Sequence, residues 1–204
     1  MKVKISKEQK IKVKESGDIA IIMRQILLRD NKLSREREHF WVVGLDAGDH
    51  ILYIELVSLG TMKKTLVEPM EVFSFALQKH SAAIILVHNH PGGNMAASFG
   101  DRDITNRLIQ VGKIVGLEVM DHIIITSKKS AYMSFSDDGL IDELAMSSDY
   151  VPPYKLIEQA KKLATENAIR KNSFDIAKVM KKNKVDMKMI SKFTGLSVKE
   201  IEKL

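Results

Sequence analysis

Residues 86–101 read LVHNHPGGNMAASFGD, and both fold and chemistry turn on how this stretch is parsed. It continues AAIILV at 82–87, a continuous apolar run of strand length, as expected for a strand covered on both faces. In extended backbone alternate side chains point the same way, so His88 and His90 leave the end of that strand together. Pro91-Gly92-Gly93 then turns the chain. Ten residues lie between His90 and Asp101, enough for the loop to return and for the start of the next helix to present a carboxylate beside the two imidazoles. Such a set suits zinc, which prefers tetrahedral nitrogen and oxygen ligation and leaves its fourth position open in catalytic sites. A lone histidine at a strand end is usually a satisfied polar group, and an Asp in a first helical turn usually complements the helix dipole. Their conjunction around a Pro-Gly loop is what points to a metal.

Outward from this stretch, the pattern alternates between helix and strand. Ile19, Ile22, Met23, Ile26 and Leu27 in 18–28 have the spacing of one helical stripe. Residues 40–45 and 51–57 are rich in Val, Ile, Trp and Tyr and flank Asp46-Ala47-Gly48-Asp49, which predicts a hairpin. A helix is expected over 70–79, another over 101–115 with Ile104, Leu108, Val111 and Val115 on one stripe, and a strand over 119–126. This alternation implies an α/β sandwich. Pro152-Pro153 marks a linker, and a helical tail follows it. Three parts are therefore expected: a basic segment at 1–14, a catalytic domain at 15–149, and a small basic helical tail at 150–204.

The chain has 204 residues, 45% hydrophobic and 28% charged, so a core can be buried without disulfides. There is no cysteine, which excludes thiolate ligands and a cysteine nucleophile, and any metal must be held by His, Asp or Glu. The start MKVKISKEQK lacks the apolar run of a signal peptide, and no stretch reaches the roughly 18 apolar residues of a membrane span, so a cytoplasmic, non-membrane protein is expected. Residues 1–14 carry six lysines against one acid, and 151–204 carry thirteen basic against six acidic side chains. Within a net charge of +6, the body between these ends is then −6, which argues against a body-wide nucleic-acid face.

The order of motifs resembles a known family. His-x-His followed by ten residues, the first a proline, and then Asp matches the JAMM signature of JAB/MPN metalloproteases, and HNHPGG is similar to the RadC branch of that family. The resemblance runs from about Arg35 to Ser134 and takes in REREHFWVVGLD, the Gly60-Thr61 pair, HNHP, Ser98, Asp101, the helix containing Thr105, and MDHIIIT. The chain departs from the usual Pro-Ser-Gly and Pro-Ser of the loop with Pro91-Gly92-Gly93 and Ala97-Ser98. The helix-hairpin-helix region that usually precedes the RadC catalytic domain is expected to be missing or replaced by the lysine-rich start.

The resemblance implies a cytidine-deaminase-like α-β-α sandwich and a Zn2+ site of His88, His90 and Asp101. It also implies a hydrolase acting on a peptide or protein substrate. Its catalytic glutamate falls just before or within an early strand, which makes Glu38 the best match and Glu36 the competitor, since both point the same way if that segment is extended. Ser98 matches a serine that stabilises the tetrahedral intermediate, although Ser-x-x-Asp is also a helix-capping pair. Asp121-His122 is placed to orient a metal-bound imidazole from a neighbouring strand. His39, His50 and His80 are expected to be ordinary surface or loop residues.

Two other readings stand beside this one. The literal string His-Asn-His and the association of RadC with DNA repair invite a nuclease, but HNH nucleases spread those residues over a ββα unit. A non-catalytic MPN scaffold is the other, although scaffolds typically lack the ligands retained here. In the tail, Leu156, Ala160, Leu163 and Ala164 form one stripe and Phe174, Ala177 and Met180 begin another. The closing segment from Asp186 reads as helix, a Thr194-Gly195 break, and a second helix opened by the capping box Ser197-x-x-Glu200. Only weak contact with nucleic acid or an acidic protein is expected of the basic tails, through residues such as Lys178, Lys181, Lys182 and Lys184.

Overall fold

A computed structural model describes residues 3–6, 9–60 and 67–204, and the stripe from Ile19 to Leu27 is buried in it along α1 (Ser16–Arg29). A single helical turn, α2 (Lys32–Arg35), follows and is capped by Asn31, whose side chain accepts from Ser34 N–H. The hairpin consists of β1 (His39–Leu45) and β2 (Ile51–Leu59), joined where Asp46 accepts from the N–H groups of Gly48 and His50. Then come α3 (Pro69–Gln78), β3 (Ala83–Asn89), α4 (Phe99–Val115), β4 (Glu118–Ile125), β5 (Met133–Ser134) and α5 (Leu140–Ala145). Gly60 lies within the described residues and its neighbour Thr61 lies outside them.

The sheet order is β2-β1-β3-β4-β5. β1 runs antiparallel to both β2 and β3, whereas β3 and β4 are parallel and joined by α4 as a crossover. Every residue of β1 and β3 is buried, which explains their unbroken apolar runs. On one face Phe40, Val42, Ile84 and Leu86 pack with α3, α4 and α5 through Val72, Phe73, Leu108 and Leu144. On the other, Trp41, Val43, Ile85 and Val87 pack with Ile19, Met23 and Leu27 of α1. The unit is thus the expected α-β-α sandwich.

The described part of residues 3–14 lies along the outer edge of β2. Val3 N–H donates to Ile54 C=O, Ile51 N–H to Ile11 C=O, and Val13 N–H to Asp49 C=O. Val3, Ile5, Ile11 and Val13 turn inward, and Lys4, Lys10 and Lys12 turn outward.

The chain divides into two compact units, Met1–Tyr150 and Val151–Leu204. In the second, Pro152 and Pro153 open a single helix, α6 (Pro153–Lys182), where proline needs no N–H partner. It is followed by α7 (Met187–Thr194) and α8 (Val198–Glu202). Gly195 ends α7 in the left-handed conformation, and Ser197 and Glu200 form a capping box at α8. Ala177, Ile190, Leu196 and Ile201 make the core of this unit, with Phe174 and Met180 against them. The earlier stripe, Leu156, Ala160, Leu163 and Ala164, is exposed. No helix among the described residues is long and apolar enough to cross a membrane.

Candidate metal centre

The end of the central strand β3 and the first turn of α4 bring His88, His90 and Asp101 together. Their ligand atoms, one from each residue, lie within 4.8 Å of one another. His88 Nε2 is 2.9 Å from His90 Nε2 and 3.2 Å from Asp101 Oδ1, and His90 Nε2 is 3.4 Å from Asp101 Oδ2. Bonds of about 2.0–2.1 Å at tetrahedral angles put ligand atoms about 3.3 Å apart, so the spacing fits a small divalent cation. The donors fit as well: two ring nitrogens and a carboxylate oxygen.

Each ligand is aimed by a local device. Gly93 N–H donates to His90 C=O across the turn, with Gly93 at φ 84°, a conformation that favours glycine. His90 Nδ1 meets Asn94 C=O at 2.6 Å, which fixes the proton there and leaves Nε2 as the donor atom. Asp101 is the third residue of α4, and its Oδ2 accepts from Ser98 N–H at 2.7 Å while Ser98 Oγ accepts from Asp101 N–H at 3.1 Å. Ser98, exposed at the N-cap, is therefore seen in its capping role.

His88 is oriented by a relay across the sheet. Its Nδ1 lies 2.8 Å from His122 Nε2, and His122 Nδ1 lies 2.5 Å from Thr105 Oγ1, whose hydroxyl donates to Asp101 C=O. Only one direction satisfies every atom once His88 Nε2 faces a cation: each group donates onward, ending on the backbone of the third ligand. His122 and Thr105 are fully buried. Burial, reinforced by the charge of His88, pushes His122 well below its ordinary value and keeps it neutral. Asp121 supports the strand rather than the ligands, accepting from Ser134 Oγ and from the N–H groups of His122 and Ser136, and burial raises its carboxyl. Thr105 stands four residues after Asp101, so helical spacing from the ligand is the signal that would have found it.

Removing the relay is expected to be costly. Thr105→Val keeps the volume but leaves His122 Nδ1–H buried without an acceptor, worth about 1–3 kcal/mol of stability. Metal affinity is expected to fall about 10–100-fold. Thr105→Ser is expected to retain both. Metal titration and thermal unfolding check this, and unchanged affinity in Thr105→Val rejects the relay.

Glu38 and Glu36 separate clearly. Glu36 ends α2 with φ −81° and ψ 1°, so the extended geometry that would align it with Glu38 is absent. Glu38 precedes β1, two residues before Phe40, whose partner His88 stands two residues before His90. Its charge is felt there. Burial works to lower the His90 imidazole, but the hydrogen bonds of Asp101 and Asn94, with the charges of Asp101 and Glu38, raise it above its ordinary value. For Asp101, burial pushes upward while His88 and His90 pull harder, holding it far below the carboxylate range.

These shifts fix the sign of a pH dependence. A proton and a cation compete for His90 Nε2, and a raised imidazole holds its proton to higher pH. Metal affinity is therefore expected to fall already above pH of about 6.5 and to lose about tenfold per unit below that for one competing proton. Asp101 stays ionised and adds no slope. In the metal-free protein the same shift stabilises the fold fully below about 6.5 and is lost as the pH rises through the folded value of His90. Chelator competition from pH 8 to 5.5 measures the dependence, and an affinity flat through that range rejects it.

The remaining histidines fall into two groups. His50 bonds Asp46 in the exposed hairpin turn, and His80 sits in an exposed turn with φ 51°. His39 is different from the surface residue expected. It is 2% exposed, stacks on Trp41 at 5.0 Å, and holds Asp30 Oδ2 at 3.1 Å from Nε2. Pleat alternation, which puts it with Trp41 and Val43, is the reason.

The chain is similar in sequence to other known proteins. A "UPF0758 protein" from Desulforudis audaxviator is 45% identical over 105 residues, covering 52% of this chain and 45% of that protein. One from Desulfitobacterium hafniense is 43% identical over 106 residues, 52% of this chain and 46% of its own length. One from Syntrophomonas wolfei is 38% identical over 129 residues, 63% of this chain and 54% of its own. The chain thus spans about half the length of the relatives it matches. The family model described as "RadC-like JAB domain" matches residues 14–140, from just before α1 to the first residue of α5, and with the sandwich and its His, His, Asp cluster in place the chain belongs to the RadC-like JAB domain family.

Proposed function

We propose that this protein is a zinc-dependent hydrolase that cleaves an amide bond, a peptide or isopeptide bond in line with its resemblance to JAB/MPN metalloproteases. The observation that carries the reading is the convergence of His88, His90 and Asp101 within 4.8 Å, with the charge of Glu38 acting on the same histidine. Nitrogen and oxygen donors without cysteine suit zinc. When bound, zinc supplies a Lewis acid that lowers the pKa of a water toward about 7 and polarises a carbonyl.

The chain supplies the rest. Glu38 takes the proton of the attacking water and returns it to the leaving nitrogen. The exposed Ser98 hydroxyl, already beside Asp101, can turn its proton toward a developing oxyanion, a donor worth a few kcal/mol. The relay from His88 to Thr105 keeps the imidazole from swinging as charge changes.

A nuclease reading is opposed by Asn89. The middle residue of His-Asn-His alternates to the opposite sheet face and bonds β1, so it does not join the histidines in one site. The test is an assay of zinc-loaded protein against a panel of peptides and lysine isopeptides and against single- and double-stranded DNA, with and without chelator. Chelator-sensitive amide cleavage is expected. Chelator-sensitive DNA cleavage, or a zinc-loaded protein inert to every amide, overturns the proposal.

A further inference from the structure

Asn89 lies between two ligands and touches neither of their functional atoms. It is 1% exposed, and its amide spends both of its ends on the backbone around Glu38. Its Oδ1 accepts from His39 N–H at 2.7 Å, and its Nδ2 donates to Arg37 C=O at 3.1 Å. Those groups belong to the two peptide planes on either side of Glu38. The Glu38 C=O is itself held by Gly60 N–H at 2.8 Å, and the Arg37 C=O also meets His39 Nδ1 at 2.9 Å. His90 N–H, in contrast, turns away to Ile125 C=O of β4. The side chain of Asn89 thus bridges to β1 at the end of the sheet, where His90 gives its own N–H to the other neighbour.

We infer that Asn89 is a positioning residue for Glu38, holding the carboxylate in place beside the His, His, Asp cluster by fixing both peptide planes that flank it. The inference rests on the proposed role of Glu38 as the base. It gives the string His-Asn-His a physical division of labour: the outer residues hold the metal from one face, and the middle residue, pointing to the other face, sets the base. Two backbone contacts from one rigid amide leave little freedom at Glu38, and a displacement of about 1 Å in such a group can cost about a hundredfold in rate.

The experiment uses cobalt(II) as the metal probe in the full chain and compares Asn89→Leu, Glu38→Gln and the double variant. Asn89→Leu is expected to bind one cobalt, to exchange the His39 amide proton about tenfold faster or more, and to retain exchange protection in the rest of β1. The pH midpoint of the cobalt visible spectrum is expected to move in Glu38→Gln, to move in the same direction in Asn89→Leu, and to move no further in the double variant. Turnover, where a peptide substrate is in hand, is expected to follow the same non-additive pattern. If Asn89→Leu fails to fold, Asn89→Ala, which leaves space instead of bulk, is measured in its place. A midpoint unmoved by Glu38→Gln removes the base assignment and this inference with it. A midpoint moved by Glu38→Gln but not by Asn89→Leu, or additive shifts in the double variant, overturns the inference alone.

Discussion

Replacing His88, His90 or Asp101 singly by alanine is expected to take bound zinc from one per chain to none at micromolar metal, with the fold retained. Three protein ligands are the usual minimum of a catalytic zinc site, and two leave a cation held too loosely to compete with water and buffer. The fold should survive because the three residues gather where β3 ends and α4 begins, and none of them belongs to the two apolar clusters that make the core. Asp101 has an added cost. Its carboxylate also caps α4, so Asp101→Ala should lose about a further 1 kcal/mol that His88→Ala does not. Elemental analysis, with thermal unfolding in the presence and absence of zinc, is the measurement. A ligand at a hundred times its dissociation constant stabilises by about 2.7 kcal/mol, and that increment should vanish in all three variants. Equal zinc content in wild type and variants would show that the metal is held elsewhere.

Glu38→Gln is expected to keep its zinc and lose about 10²–10⁴-fold in turnover, while Glu36→Gln stays near wild type. Glutamine matches glutamate in size and can still accept a hydrogen bond, but it cannot take a proton, so the loss reads the proton transfer alone. The two positions now differ physically and not merely by register. Glu36 closes a helical turn at ψ 1°, whereas Glu38 precedes β1, near enough for its charge to act on His90. Rates on an amide substrate together with zinc stoichiometry decide the matter. Loss of activity in Glu36→Gln with Glu38→Gln unaffected would reverse the assignment.

The cluster of His88, His90 and Asp101 was legible because its spacing is set by local geometry: two residues along a strand, then a loop long enough to return. The hairpin, both long helices and the buried strands follow equally from period and apolarity. The start of the chain shows what local reading loses. Ile11-Lys12-Val13-Lys14 alternates as an edge strand should, with lysines outward, yet the run of charge draws the eye to a solvated tail. The short α2 was hidden because four residues carry no period, and with it went the distinction between Glu36 and Glu38. Asn89 and Thr105 escaped for another reason. Their partners are 50 and 17 residues away, and the order β2-β1-β3-β4-β5 that unites them is a property of pairing between strands.

Regarded as a polymer, the ten residues between His90 and Asp101 form a loop whose two ends a single ion ties together. The entropy of closing such a loop grows as about (3/2)RT ln n, so even doubling its length adds only about 0.6 kcal/mol. What the stretch must keep is therefore small: the glycine at Gly93, the carbonyl that Asn94 offers to His90, and the serine that starts the helix. Beyond these, Pro91 is buried and Met95 and Ala97 pack against the core, so the freedom to vary sits at exposed positions such as Gly92 and Ala96, in a loop where this chain writes Pro91-Gly92-Gly93 and Ala97-Ser98 in place of its family's more usual wording. A loop with so few obligations at so little entropic cost is the part of the molecule where new specificity can be tried without endangering the metal.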